Sequence, residues 1–550
     1  MAMTETQPEA DAPPSPARGA EAEAREVVLG SGDHKTIGRL WIAVSSVMLV
    51  ASLGVAAAAG FERIDLGSFA VVASAEMYAQ LWSLAWVGVL VLGVVPLWVG
   101  IATYLVPLQV GACTLAFPRG AAAAFWCWLV AAGLLVASYV FNGGPGGGRQ
   151  DFTVLWAVSL GIALMALAWA LVCVVTTVIG LRTRGLTLAD TPMASWSFLV
   201  FGTVGLLSLP MVVAELVVAY IRVRYGDLGD AVARVELADI LAGVSLAPGV
   251  YWLAIPALGL LAEAAATHSE RELARPRALM GLIAAFGFVA VGGHLLSFLT
   301  LRPHPPFDNA VMVLTLLAAP LVIIGVLGLA AASVRRGRLR FRVPLLGALV
   351  AGGLLLLASV VVVLGQVAHV VAFVAEVGGR PLEAPRWLQL TGTSYHDGVR
   401  VLVVGASLVA AVSALHHWGH KFYGRALDEV MGFLGVGALA AGSAIWALAD
   451  VVSGMLEQPR DPFLTTAPRD GVEILNAIAM VGAVVAALGA LVVVVNLALS
   501  TIARRGSATE PWRGPGLEWT TSSPPPLGNF PEPPVVGATA DPDPSEAVAR

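Results

Sequence analysis

The chain has 550 residues, 57% of them hydrophobic and 13% charged, with a formal net charge of −5. So apolar a composition exceeds what the core of a water-soluble domain needs, which excludes the soluble classes. No basic patch interrupts it, and nucleic acid is excluded as a partner.

Apolar runs long enough to cross a bilayer, roughly 20 residues each, fall near 37–60, 78–105, 121–142, 153–181, 196–221, 238–265, 278–301, 309–333, 343–376, 398–416, 429–454 and 472–502. They predict an all-α polytopic membrane protein with twelve transmembrane helices. Residues 1–32, rich in Ala, Glu and Pro, predict a disordered tail; 33–505 form the membrane domain, and 506–550 a Pro-rich tail. With the N-terminus inside, 21 of the 32 Lys and Arg residues fall on one side. The positive-inside rule then places both termini in the cytoplasm.

In chain order, Asp33 to Leu40 (DHKTIGRL) stands before the first run as a polar anchor. The second run, entered at Tyr78, leads through YLVPLQVGA into AFPR, which ends at Arg119. FNGGPGGG, from Phe141 to Gly148, joins two membrane runs and lacks the Lys-Ser/Thr ending of a phosphate-binding loop, so it predicts a turn. Glu215 sits inside the fifth run, where an ionised carboxylate costs about 2.5–3.5 kcal/mol unless paired or facing water. The sixth run carries Asp239 and then APGVY, Ala247 to Tyr251, followed by IPALGLLAE. His294 lies in the seventh run and Ile324 in the eighth. The tenth follows Asp397, holds Arg400 at its start and leads into HHWGHK, whose His416, His417 and His420 predict a solvated helix end. His268, His304 and His369 stand isolated in the sequence. Pro459-Arg460-Asp461 precedes the last run, and the tail holds GLEWTTSSPPP, Gly516 to Pro526, then Asn529-Phe530. Cys113, Cys127 and Cys173 are scattered without metal-ligand or redox spacing and predict buried packing.

In this order these motifs resemble subunit I of the haem-copper oxidases, the catalytic subunit of cytochrome c oxidases, over about residues 33–530. The resemblance implies haem and copper held by histidines on helices two, six, seven and ten, two proton channels, and a tyrosine at the oxygen-reducing centre. Several positions depart from that pattern. Ala85 stands where a haem-ligating histidine is implied, Thr114 at a channel-entrance aspartate, and Ile324 at a channel lysine. Ala247 and Gly249 replace a copper-binding histidine and a proton-relaying glutamate, whereas Tyr251 keeps the tyrosine. One alignment of helix ten puts Asp397 and Val399 at the implied haem ligands, and the other puts Gly398 and Arg400 there. The chain has nine histidines, none between His34 and His268, so helices two and six supply none under any alignment.

The expectation is a membrane protein that keeps the subunit I scaffold, has lost oxygen-reduction chemistry and binds no cofactor or metal. It would act as a structural, assembly or accessory subunit of a respiratory-type complex in a bacterial-type plasma membrane, with lipid and other membrane subunits as partners. His294 and Arg460 remain as candidates to touch a cofactor. One alternative is a working terminal oxidase with haem and copper, coupling electron transfer to proton pumping. Another is transport through the cavity that cofactors fill in the family, along Glu215, Asp239, Tyr251, His294, Asp397 and Arg400. Arg400 is expected to pair with Glu215 or a nearby acid, because a lone arginine is unfavourable at this depth.

Overall fold

The computed structural model describes residues 30–65, 72, 74–145, 147–225, 249–299, 305–335, 337, 339–377, 390, 392–460, 471–502, 512 and 514–536. Among these residues, twelve long helical segments, numbered in chain order, correspond to the twelve apolar runs: α1 His34–Glu62, α2 Ala75–Gln109, α3 Pro118–Val140, α4 Gln150–Gly180, α5 Met193–Tyr225, α6 Ile255–Ser269, α7 Pro276–Leu299, α8 Pro305–Val334, α9 Val343–Val377, α10 Tyr395–Tyr423, α11 Glu429–Met455 and α12 Val472–Ile502. Eleven of them are long and apolar enough to span a membrane, and α7, apolar over Pro276–Gly292, is the shorter twelfth. Outward apolar side chains recur along α4 at Val158, Ile162, Met165, Trp169 and Val172, one helical face turned away from the bundle. Such a stripe suits lipid, and the chain is an integral membrane protein.

Local chemistry sets the helix ends. The side chains of Asp33, Ser74 and Asp428 cap α1, α2 and α11 by accepting backbone N–H groups, which helix starts leave unpaired. Pro118 opens α3 after Phe117, whose φ of 53° turns the AFPR motif sharply into the helix. Gly424, at φ 69°, ends α10 by donating its N–H to the His420 carbonyl. The glycine-rich turn packs on the start of α2, with the Gln80 amide bonded to Asn142 and accepting from the Gly144 N–H.

Three elements form the centre. α10 and the α6 segment, which begins with a 3-10 turn at Gly249–Ala254, are buried throughout, and α2 is buried over most of its length. α2 changes to π-helical winding over Gly88–Val94, where α1 lies so close that a Cβ on Gly88 would sit 2.3 Å from the Ser52 hydroxyl. Ser407 ties the three together: its hydroxyl accepts from Trp98 of α2 at 2.8 Å and donates to the Leu253 carbonyl at 2.6 Å. Cys173 is buried, but Cys113 and Cys127 are exposed, which corrects the expectation of packing for those two.

Candidate functional site

Ala85 of α2 is buried, at 2% exposure. Its neighbour Trp86 is covered by the Arg400 guanidinium, 3.5 Å from the indole centroid, and by Trp446 of α11 at 5.6 Å. Arg400 pairs with Asp397 at 2.6 Å, and both side chains are almost wholly buried. Arg63, just beyond α1, pairs with the buried Asp450 of α11 at 2.8 Å and stands 5.6 Å from the Trp82 ring. Burial opposes the charge on Arg63, but Asp450, with Tyr78 and Asp397 behind it, holds the guanidinium above its ordinary range. Asn476 of α12 donates to the Arg63 carbonyl, so α1, α2, α10, α11 and α12 meet in one buried polar cluster.

Arg400 therefore takes Asp397 rather than Glu215 as its acid. Glu215 lies half-buried on α5 among the outward-facing Ala214, Val217 and Val218, with no ion-pair partner among the described residues. Tyr251 is fully buried, its hydroxyl 3.4 Å from that of Ser359 and its ring against Phe286. Gly249 begins the buried 3-10 turn. Thr114 is exposed in the loop after α2. Ile324 is 53% exposed on the outside of α8 while Ile323 turns fully inward, so position 324 does not line an internal path. Arg460 is half-buried, and its backbone N–H bonds the Gly392 carbonyl beside the Thr393–Pro459 bridge. Asp239 and Ala247 lie outside the described residues, as does the His294 side chain on α7.

At the other end of the bundle the structure corrects the histidine expectations. His416, His417 and His420 are buried, not solvated. His268 is not isolated: it occupies the last turn of α6 with its ring 5.6 Å from that of His417. The cause is the C-terminal segment, which lies across this end and covers it with Trp512, 5.1 Å from His268, and Trp519, 5.1 Å from His420. The same segment brings Glu518 to Gln109 of the YLVPLQVGA motif and to Glu263 of α6. Nothing in the spacing marked this group, although Glu263, Gln109 and Glu518 each stand as a polar residue inside an otherwise apolar motif.

The sequence model of the family described as cytochrome c and quinol oxidase polypeptide I matches residues 36–375. The chain belongs to that family. A putative cytochrome c oxidase subunit 1-beta of Streptomyces coelicolor is 27% identical over 525 residues, covering 90% of this chain and 86% of the relative. A cytochrome c oxidase subunit 1 of Synechocystis is 26% identical, with 92% and 90% covered. In a cryo-EM structure of a heme-copper terminal oxidase dimer, one chain superposes with a TM-score of 0.63 at 14% identity, covering 90% of this chain and 88% of its own, which shows the shared fold.

Membership overturns one expectation. The relatives are cytochrome c oxidase subunits and the structural neighbour is a heme-copper oxidase, so a cofactor-free reading of this chain does not stand. Near these positions the structure shows a buried methyl at Ala85 and an Arg400 guanidinium paired with Asp397. Haem and copper remain the groups of the family.

Proposed function

We propose that this subunit I-family protein is a structural, assembly or accessory subunit of a respiratory-type complex in a bacterial-type plasma membrane, and does not itself carry out oxygen reduction. One observation carries the reading: no histidine occurs between His34 and His268, a stretch that includes the whole of α2. Imidazole is the donor that the family's reaction centre uses, and a methyl group at position 85 has no lone pair to offer. An alanine is accommodated at position 85 because its side chain is buried and the charges nearby satisfy one another.

A working terminal oxidase is the second reading. It is favoured by the relatives named cytochrome c oxidase subunit 1, which align over about nine-tenths of the chain, 90% and 92% in the two cases above.

Tyr251→Phe separates the two. Tyr251 stands where the resemblance implies the tyrosine of the oxygen-reducing centre, and the substitution removes only a hydroxyl. In the accessory reading, oxygen uptake by the purified complex is unchanged. Loss of uptake in a complex that still assembles would establish the oxidase reading instead.

A further inference from the structure

The C-terminal segment is a strap. Residues 512 and 514–536 are held along one face of the bundle, with Trp512 donating to the His417 carbonyl at 3.2 Å, Lys421 to the Thr521 carbonyl at 2.8 Å, Lys35 to the Pro526 carbonyl at 2.6 Å, and Asn529 to the Ala112 carbonyl at 2.8 Å. Gly185 lies so near its far end that a Cβ there would sit 1.9 Å from the Val536 carbonyl oxygen.

Under the strap two carboxyl groups meet. Gln109 donates through one amide nitrogen to Glu263 Oε1 at 2.6 Å and to Glu518 Oε1 at 3.0 Å. Its own oxygen is committed to the N–H and hydroxyl of Ser195, at 3.1 and 2.7 Å. Glu263 Oε2 accepts the Ala194 N–H at 2.9 Å, and the buried Glu518 carboxyl lies beside the Trp418 indole. Both side chains are buried, and neither forms an ion pair among the described residues. Two ionised carboxylates sharing one neutral amide would place like charges side by side out of water, which costs more than protonating one of them.

We propose that Glu263 and Glu518 hold one proton between them, and that this proton fastens the strap to the membrane bundle. The site's ligand is the proton, and the site exists only while the strap is docked. Burial pushes the Glu518 carboxyl above its ordinary range, as a shared proton requires. The other charged or titratable groups here are Lys421, His417 and His420 on α10, His268 on α6 and Lys35 on α1; α2 and α5 present the neutral Gln109, Ala194 and Ser195. Lys421 serves the Thr521 carbonyl and faces the Trp519 ring at 5.5 Å.

Undocking returns Glu518 to water as an ordinary carboxyl. Between that ordinary pKa and the higher one of the docked pair, the docked state binds more protons, so strap stability is full at low pH and falls as pH rises. Each pH unit in that window raises the opening constant about tenfold for one proton released.

Two measurements on the full-length protein test this. Infrared difference spectroscopy at neutral pH, wild type minus Glu518→Gln, should show a protonated-carboxyl band; a flat difference in that region overturns the proposal. Hydrogen exchange of strap amides, corrected for intrinsic rates, should show the tenfold slope in the wild type and none in Glu518→Gln, whose carboxamide donates at every pH. A wild-type strap whose protection is independent of pH overturns it, without any variant having to fold.

Discussion

Removing the Arg400 guanidinium should expose how the interior around Ala85 is held together. Arg400→Met keeps most of the side-chain volume but deletes the 2.6 Å bond to Asp397 and the charge 3.5 Å over Trp86. Both partners are buried, at 5% and 1% side-chain exposure, so solvent does not take over the orphaned Asp397 carboxylate. Deleting one member of a buried pair costs about 3–5 kcal/mol, and a desolvated cation over an indole accounts for about 2 of that. Neutralising both members removes the orphaned charge, so Asp397→Asn with Arg400→Met should recover most of the loss. Thermal unfolding of purified protein in detergent, compared across wild type, both single variants and the double, reads the coupling directly. A single variant as stable as wild type, or a double no better than Arg400→Met alone, would refute the claim that this pair neutralises the interior beside Ala85.

Two further expectations follow from the packing and the charge distribution. At the α11–α12 contact a Cβ on Gly442 would lie 2.4 Å from the Ala486 backbone nitrogen, while one on Gly437 of the same helix meets nothing within 4 Å. Gly442→Val should therefore lower stability by at least the 1–3 kcal/mol typical of overpacking, roughly, because backbone cannot yield as a side chain can, and Gly437→Val should leave it unchanged; equal melting temperatures would contradict this. Reporter fusions to the two termini should both be active on the cytoplasmic side, given 21 of 32 basic residues on that side. A reporter active outside would reverse the topology.

Eleven of the twelve expected spans were readable because run length and composition decide them, and the start of α3 was readable in AFPR. The π-helical winding of α2 was not, since it reflects the approach of Ser52 to Gly88 from another helix. The residue types on α2 and α10 can be read from the chain alone, but what surrounds them cannot: Arg400 meets Trp86 only once α10 is placed against α2. The sequence alone makes the histidines at the end of α10 look solvated, because a helix end facing a loop normally is. The strap, about a hundred residues further on, excludes the water, as the buried Lys421–Thr521 bond shows at a separation of 100. Long-range closure of this kind leaves no local pattern. The outward turn of Ile324 also needed the structure, because α8 is apolar on every face and its sequence does not say which side is inner.

The most direct test of the central claim is oxygen uptake by the purified chain, supplied with a chemical reductant and an electron carrier and followed with an oxygen electrode. The accessory reading predicts uptake equal to the reductant alone. Sustained uptake above that background, abolished by a ligand that blocks haem-copper centres, would contradict it and make the chain a terminal oxidase.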